Sequence, residues 1–186
     1  LERPIAVVGC GGLGVPAAWA LALAGVRQLV LVDPDRVELG NLHRQVLYTT
    51  ADCGASKAER LAIALRRRAP SCAIEVRTGH VDASNVSAVL QGCGAAIECT
   101  DDAPAKFALN DWALADRART VTIAAAIGRR GQWFTVRGSG PCYRCLFEQP
   151  PDPAALATCR IAGVLGPVVG IVGSLAARSL LHALRG

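Results

Sequence analysis

Methionine is absent from these 186 residues, and aromatic side chains make up only 4% of them. A core with so little aromatic mass has to be filled by Ala, Val, Leu and Ile, the usual packing of a parallel α/β protein. Charge is sparse too: 19% charged against 52% apolar excludes a disordered chain and favours a dense interior. The length suits one sheet with helices on both faces, so residues 1–186 are read as a single domain.

There is no concentrated basic surface either. The net charge of +5 is scattered, apart from Arg66-Arg67-Arg68. That triplet ends a helical pattern, where cations complement the helix dipole. No aromatic platform accompanies it, so nucleic acid is not expected as a partner. One long uncharged run exists, Ile161 to Ala177, just within the length of a membrane span. It contains four Gly and Pro167 and stands alone, so it is read as a buried or interface helix rather than a span. Leu1 leads almost directly into a strand, without the pattern of a signal peptide. The eight Cys, set in an α/β pattern, are read as buried, metal-binding or catalytic rather than disulfide-paired, which makes the expected location cytoplasmic. Cys10, Cys72, Cys93 and Cys99 lie in apolar stretches and read as small core residues.

Apolar runs alternate with helical patterns along the chain, the signature of βαβ units. Strands are predicted at Pro4–Val8, Gln28–Val32, Ala73–Thr78, Ala95–Cys99 and Thr120–Ala125. Helices are predicted at Leu13–Ala24, closed by Gly25, and at Ser56–Arg68, Ala105–Arg117 and Pro167–Arg185, with a short one at Ser84–Gln91. Gln132–Arg137 alternates after Gly131 and is expected to add an antiparallel strand. The fold class is therefore α/β: a Rossmann-like, mostly parallel twisted sheet with helices on both faces and an antiparallel addition in the C-terminal part.

Gly9-Cys10-Gly11-Gly12-Leu13-Gly14 follows a strand and opens a helix, the context a nucleotide fingerprint requires. Gly9, Gly11, Gly12 and Gly14 let the backbone approach phosphates, while the helix N-terminus offers N–H donors and positive partial charge. Asp33 ends the next strand, where a carboxylate accepts from ribose hydroxyls. These features point to an adenine nucleotide without choosing between NAD and ATP.

The loop after Asp33 separates the two. It carries Asp35, Asn41, Arg44 and Gln45, and Lys57 opens the next helix. A dehydrogenase has no use for two cations and two amides around its adenosine half. A triphosphate does, because its transfer chemistry develops negative charge that a guanidinium fork and an ammonium stabilise. Asp101 ends the fourth strand, on the edge where open α/β sheets bind ligands. A carboxylate beside phosphates needs a cation between them, and Mg²⁺ is the natural one. Alternatively Asp101 or Asp102 caps the following helix; Asp102 fits the cap, leaving Asp101 for the metal. His43, His80 and His182 are scattered, and His43 is read as structural.

Taken together, GCGGLG from Gly9, LVDPDRVELGNLHRQ, GASK ending at Lys57, ECTDD ending at Asp102, AAAIGRRGQ from Ala124, PCYRC from Pro141 and TCRIAGVLGPVVGIVGSLAA from Thr158 resemble the ubiquitin-activating-enzyme-like superfamily. The resemblance is to its bacterial ThiF/MoeB/HesA-type branch, which activates sulfur-carrier proteins, and it spans nearly the whole chain. It implies that the glycine loop, Asp33 and Asp35 hold ATP, that Asn41, Arg44, Gln45 and Lys57 surround the phosphates, that Asp101 serves Mg²⁺ and adenylation, and that Asp102 belongs with the nucleotide-binding residues. The implied reaction is attack by the C-terminal Gly-Gly carboxylate of a ubiquitin-like carrier on the α-phosphate, giving acyl-adenylate and pyrophosphate. It also implies a homodimer, and gives Cys159 a role in relaying the activated acyl group or sulfur. Arg160 would stabilise a Cys159 thiolate, although a structural thiol fits the same position.

Two features depart from that branch. Its members bind zinc with two CxxC pairs, whereas Cys142 and Cys145 form only one, and a second would fall beyond Gly186. Two thiolates are half of a tetrahedral zinc site. Dimeric relatives also lend an arginine from an N-terminal segment to the partner's ATP site, and Arg3 sits too near the first strand to do so. The competing readings are a degenerate module that binds nucleotide or a ubiquitin-like protein without chemistry, and an NAD-dependent oxidoreductase.

Overall fold

The computed structural model describes residues 3–138, 140–150 and 163–185. Six strands form one sheet in the order β3-β2-β1-β4-β5-β6. These are β1 (Ile5–Val8), β2 (Gln28–Val32), β3 (Ala73–Arg77), β4 (Ala95–Glu98), β5 (Thr120–Ile127) and β6 (Arg130–Arg137). The first five run parallel, and β6 returns antiparallel on β5. The order reverses direction between β1 and β4, which opens a crevice at their C-terminal ends.

Side chains alternate across the sheet as the pleat requires. Ile5, Val7, Leu29, Leu31 and Ile97 pack under α1 (Gly14–Leu23), α2 (Lys57–Arg68) and α5 (Gly166–Arg185). Ala6, Val8, Val30, Val32, Val121 and Ile123 pack on the other face with α3 (Val86–Val89) and α4 (Ala103–Leu114). Cys10, Cys72, Cys93 and Cys99 are all buried, as small core residues should be. Arg66, Arg67 and Arg68 occupy the last turn of α2; Arg66 donates to the Ile74 carbonyl (2.7 Å) and Arg68 lies over the Trp19 ring.

Several boundaries differ from the sequence expectation, each for a visible reason. Helix α4 starts at Ala103 rather than Ala105, because Asp102 caps it and Pro104 suits the first turn. It stops at Leu114, three residues before Arg117. Strand β5 runs on to Ile127 and β6 begins at Arg130, since the two extend each other as a hairpin beyond the reach of β4. The expected helix Ser84–Gln91 shrinks to one turn, Val86–Val89. Among the described residues only α5 is long and apolar enough to cross a bilayer. It packs on α1, β5 and β6, burying Val169, Val172, Ala176, Ala177 and Leu180.

Candidate functional site at the β1–β4 crevice

The glycine turn is built by close backbone approach. Gly9 (φ 89°) has left-handed backbone, and a Cβ there would lie 2.9 Å from the Cys99 carbonyl carbon and the Thr100 nitrogen. A Cβ on Gly14 would sit 1.7 Å from the Gly9 carbonyl oxygen. Both positions admit only glycine, and together they hold the start of α1 against the end of β4. Gly11 and Gly12 leave a cradle: a Cβ on Gly11 would meet only Gln45 Nε2 at 3.6 Å, and one on Gly12 would meet Val169 and Arg44.

Asp33 lies at the floor of this turn, 5% exposed. Its Oδ2 accepts from the Cys10 backbone N–H (2.5 Å) and its Oδ1 from the Asp35 N–H (2.7 Å). Each oxygen keeps a lone pair for a further donor. Burial pushes the Asp33 carboxyl above the usual carboxylate range, against the pull of those two amides and Lys57.

The long loop that follows folds back on itself. Val37 exchanges hydrogen bonds with Gly54 and Ala55, and Lys57 N donates to the Asp35 carbonyl (3.0 Å). This closure brings Lys57 beside Asp35, and its Nζ donates to Asp35 Oδ2 (2.7 Å) while the residue is 7% exposed. Two turns, Leu39–Asn41 and Thr50–Asp52, break up the intervening chain. Arg44 Nη2 donates to Asn41 Oδ1 (2.6 Å), and its Nη1 lies 3.3 Å from His43 Nε2. The guanidinium is thus held in place by two neighbours before any anion arrives. Gln45 is buried, its Nε2 lies beside Gly11, and its Oε1 has no hydrogen-bond partner among the described residues.

Tyr48 escaped the sequence reading. It is buried, and its hydroxyl lies 2.7 Å from the Cys10 carbonyl oxygen and 3.1 Å from that of Lys57. One phenol thereby links the glycine turn to the start of α2. A lone aromatic in the loop between Asp33 and Lys57 was the only signal available.

Across the crevice, Thr100 and Asp101 follow β4. Asp101 is exposed with no hydrogen-bond partner among the described residues, free to face a cation or phosphate. Asp102, expected to cap the helix or to join the nucleotide ligands, caps α4 by accepting from the Ala105 N–H (3.2 Å). Beneath them the Glu98 carboxylate, fully buried, pairs with Lys106; this ion pair was also missed.

The structure therefore brings together Gly9, Gly11, Gly12, Gly14, Asp33, Asp35, Asn41, Arg44, Gln45, Lys57 and Asp101. Cys142 and Cys145 lie elsewhere, on the α4 face, flanking the turn Tyr143–Cys145. Tyr143 N donates to Asn110 Oδ1 (2.7 Å), and Arg144 forms a two-pronged ion pair with Asp111. The two sulfurs are 3.6 Å apart, close enough to ligate one ion. Burial raises the Cys142 thiol, but hydrogen bonds from Cys145, Arg144 and Asn110 outweigh it and lower the net value. No group of three or more His, Cys, Asp or Glu placed to hold a metal occurs among the described residues, so the pair supplies two ligands of a zinc site and no more. A magnesium ion asks less of the protein, one or two carboxylates plus phosphate oxygens, and Asp101 fits that demand. Cys159 falls outside the described residues.

Comparison with known proteins bears on the family and the fold. A family model described as the ThiF family matches residues 2–186. "Adenylyltransferase and sulfurtransferase MOCS3" of Drosophila willistoni is 39% identical over 184 residues, covering 98% of this chain and 40% of that protein. The Drosophila sechellia protein of the same name is 39% identical over 183 residues, with the same coverage. The chain spans about two fifths of the length of these relatives. Among solved structures, the microcin C7 biosynthetic enzyme MccB in complex with N-formylated MccA superposes with a TM-score of 0.84 at 20% identity, covering 98% of this chain and 57% of that one. E. coli MccB with ATP superposes at 0.79, also at 20% identity, covering 98% and 56%. At that identity the likeness is one of fold.

Proposed function

Since the chain belongs to the ThiF family, we propose that it is an adenylyltransferase that activates the C-terminal glycine carboxylate of a ubiquitin-like sulfur-carrier protein with ATP. The observation that carries this reading is the placement of Arg44 and Lys57 beside the glycine turn, which itself leans on the Cys99–Thr100 peptide that leads to Asp101. The sulfur carrier is supported by the name of the 39%-identical relatives, which joins adenylyl transfer to sulfur transfer.

In the reaction, a carrier carboxylate oxygen bonds to the α-phosphorus as the bond to the bridging β-phosphate oxygen breaks, and pyrophosphate departs. No proton moves. The chain's task is to hold ATP and neutralise growing charge on the leaving group. The glycine turn and the N-terminus of α1 receive phosphate oxygens, and the remaining lone pairs of Asp33 take ribose hydroxyls. Arg44 is already oriented by Asn41 and His43, so it approaches the phosphates with little reorganisation. Lys57 has only to exchange the exposed Asp35 carboxylate for phosphate. Asp101 would hold Mg²⁺, which supplies further neutralisation at the phosphates.

Two partner statements belong to the same proposal. The chain works as a homodimer, with the outer side of the first turns of α5 at the interface. Cys159 carries the activated group onward, supported by Arg160 beside it in sequence. Cys159→Ala should then leave exchange intact while stopping transfer; unaffected transfer would return that thiol to a packing role.

The test is ATP–pyrophosphate exchange with carriers ending in Gly-Gly. Exchange that appears with the carrier and vanishes when its terminal carboxylate is amidated is expected. A chain that binds ATP yet never exchanges would instead be a degenerate binding module. Tighter calorimetric binding of NAD than of ATP would favour an oxidoreductase.

A further inference from the structure

Lys106 has no place in the chemistry described so far, yet it is among the most constrained side chains in the molecule. It projects from the first turns of α4, 7% exposed. An ammonium has three donors, and each finds an acceptor: the Glu98 carboxylate, the Thr100 carbonyl (2.8 Å) and the Ala124 carbonyl (2.9 Å). Ala124 is the first residue of β5 beyond the end of β4, so Lys106 bonds the strand where β4 no longer reaches it.

The acceptors gather around one residue. The Thr100 carbonyl belongs to the peptide that leads into Asp101. On the other side, Asp102 N donates to Thr100 Oγ1 (3.1 Å). That same hydroxyl donates to Glu98 Oε1, which also accepts the Thr100 N–H (2.7 Å). Both peptides flanking Asp101 are thereby fixed by a buried ion pair, while the Asp101 side chain itself is left unbonded and exposed.

We propose that Lys106, with Glu98 and Thr100, is a positioning residue that fixes the backbone of Asp101 so that its carboxylate meets the metal and phosphates in one orientation. The proposal rests on the adenylation reading for its effect on rate, and on the geometry alone for its effect on the loop. A buried pair of this kind adds little stability over a neutral substitute, whereas removing one partner leaves an uncompensated charge. Its place under the exposed, unpartnered carboxylate of Asp101 is accounted for by what it holds.

The experiment compares the wild-type chain with Glu98→Gln/Lys106→Met, which removes both charges together, with Lys106→Arg, and with Thr100→Val, which leaves the ion pair in place. In the double variant, hydrogen exchange at the Thr100 and Asp102 amides should rise about tenfold or more, with the rest of the sheet unchanged. In the exchange assay, kcat should fall about tenfold and the Mg²⁺ concentration for half-maximal rate should rise, while KM for ATP changes less than about twofold. Lys106→Arg keeps the cation and enough donors, so it should retain kcat to within about threefold. Thr100→Val should fall between the two, and it carries the test if the double variant does not fold. Unchanged loop protection, or unchanged kcat and Mg²⁺ dependence, in a folded double variant or in Thr100→Val would overturn the proposal. A wild-type chain without any exchange activity would overturn the adenylation reading instead, and the amide measurements would still decide the role of Lys106.

Discussion

At the scale of single residues, the two carboxylates of the crevice are set up in opposite ways. Asp101 is exposed and unbonded, so Asp101→Ala should shift the melting midpoint by no more than an ordinary surface change, about 0.5 kcal/mol. Pyrophosphate exchange should nevertheless fall about a hundredfold or more, the scale of losing one preorganised electrostatic group. Full activity in that variant would make the residue a bystander. Asp33, by contrast, is buried, and burial raises its pKa. A group raised on folding contributes stability below its unfolded pKa and loses it as pH rises through the folded value. Ribose hydroxyls donate more strongly to the ionised form than to the neutral acid, so binding them opposes that shift and releases protons. Adenosine affinity should therefore weaken as pH falls through the raised Asp33 value. Adenosine carries no phosphate to titrate, and calorimetry in two buffers of different ionisation enthalpy reads the proton release. The same linkage in Asp33→Asn would refute the assignment.

At the scale of elements, α5 is fitted against its neighbours by glycines whose surroundings differ in kind. A Cβ on Gly131 of β6 would lie 2.2 Å from Val172 Cγ2, a side-chain tip. A Cβ on Gly173 of α5 would lie 2.3 Å from the Leu13 carbonyl oxygen, which is backbone at the mouth of the glycine turn. Side chains yield more readily than main chain, and overpacking costs about 1–3 kcal/mol where relief is partial. Urea midpoints should show Gly173→Ala more damaging than Gly131→Ala, and Val172→Ala should relieve only the latter. Equal losses would place the constraint in the sheet rather than the helix contact. The elements also show which information the sequence carried openly. The apolar run Pro4–Val8, the glycine turn and the β-α rhythm are local patterns, and they forecast the sheet and its crevice. The length of β5 is set by its hairpin with β6, and the start of α4 by the Asp102 cap, so both boundaries moved. Tyr48 and Lys106 were illegible for a related reason. A Tyr in a loop and a Lys in a helix look like surface residues until the fold carries the Cys10 carbonyl to one and the Glu98 carboxylate to the other.

At the scale of the whole molecule, α5 turns Val169, Val172, Ala176, Ala177 and Leu180 inward and keeps Val168, Leu175, Leu181 and Leu184 half-buried on its flanks. What remains outward is small: Leu165 and Ile171 are 53% and 61% exposed, and Ser174, Arg178 and His182 continue the same face in polar form. The proposed dimer must therefore be centred on the first turns of the helix, near the glycine cradle that Val169 touches. Light scattering at tens of micromolar should report a dimer, and Ile171→Lys should dissociate it with little change in melting; a monomeric wild-type chain would count against the interface. The strand order has a further consequence in time. β1 is synthesised before the other five strands, and β2 and β3 can pair beside it in turn, but its other neighbour is β4, with Ile5 aligned to Ala95. The Gly9 turn leans on the Cys99–Thr100 peptide, so it has no wall until the nascent chain has run through β4. The half that bears the nucleotide signature is thus unable to capture ATP while it stands alone, and a chain stalled before β4 would leave the cell's nucleotide pool untouched.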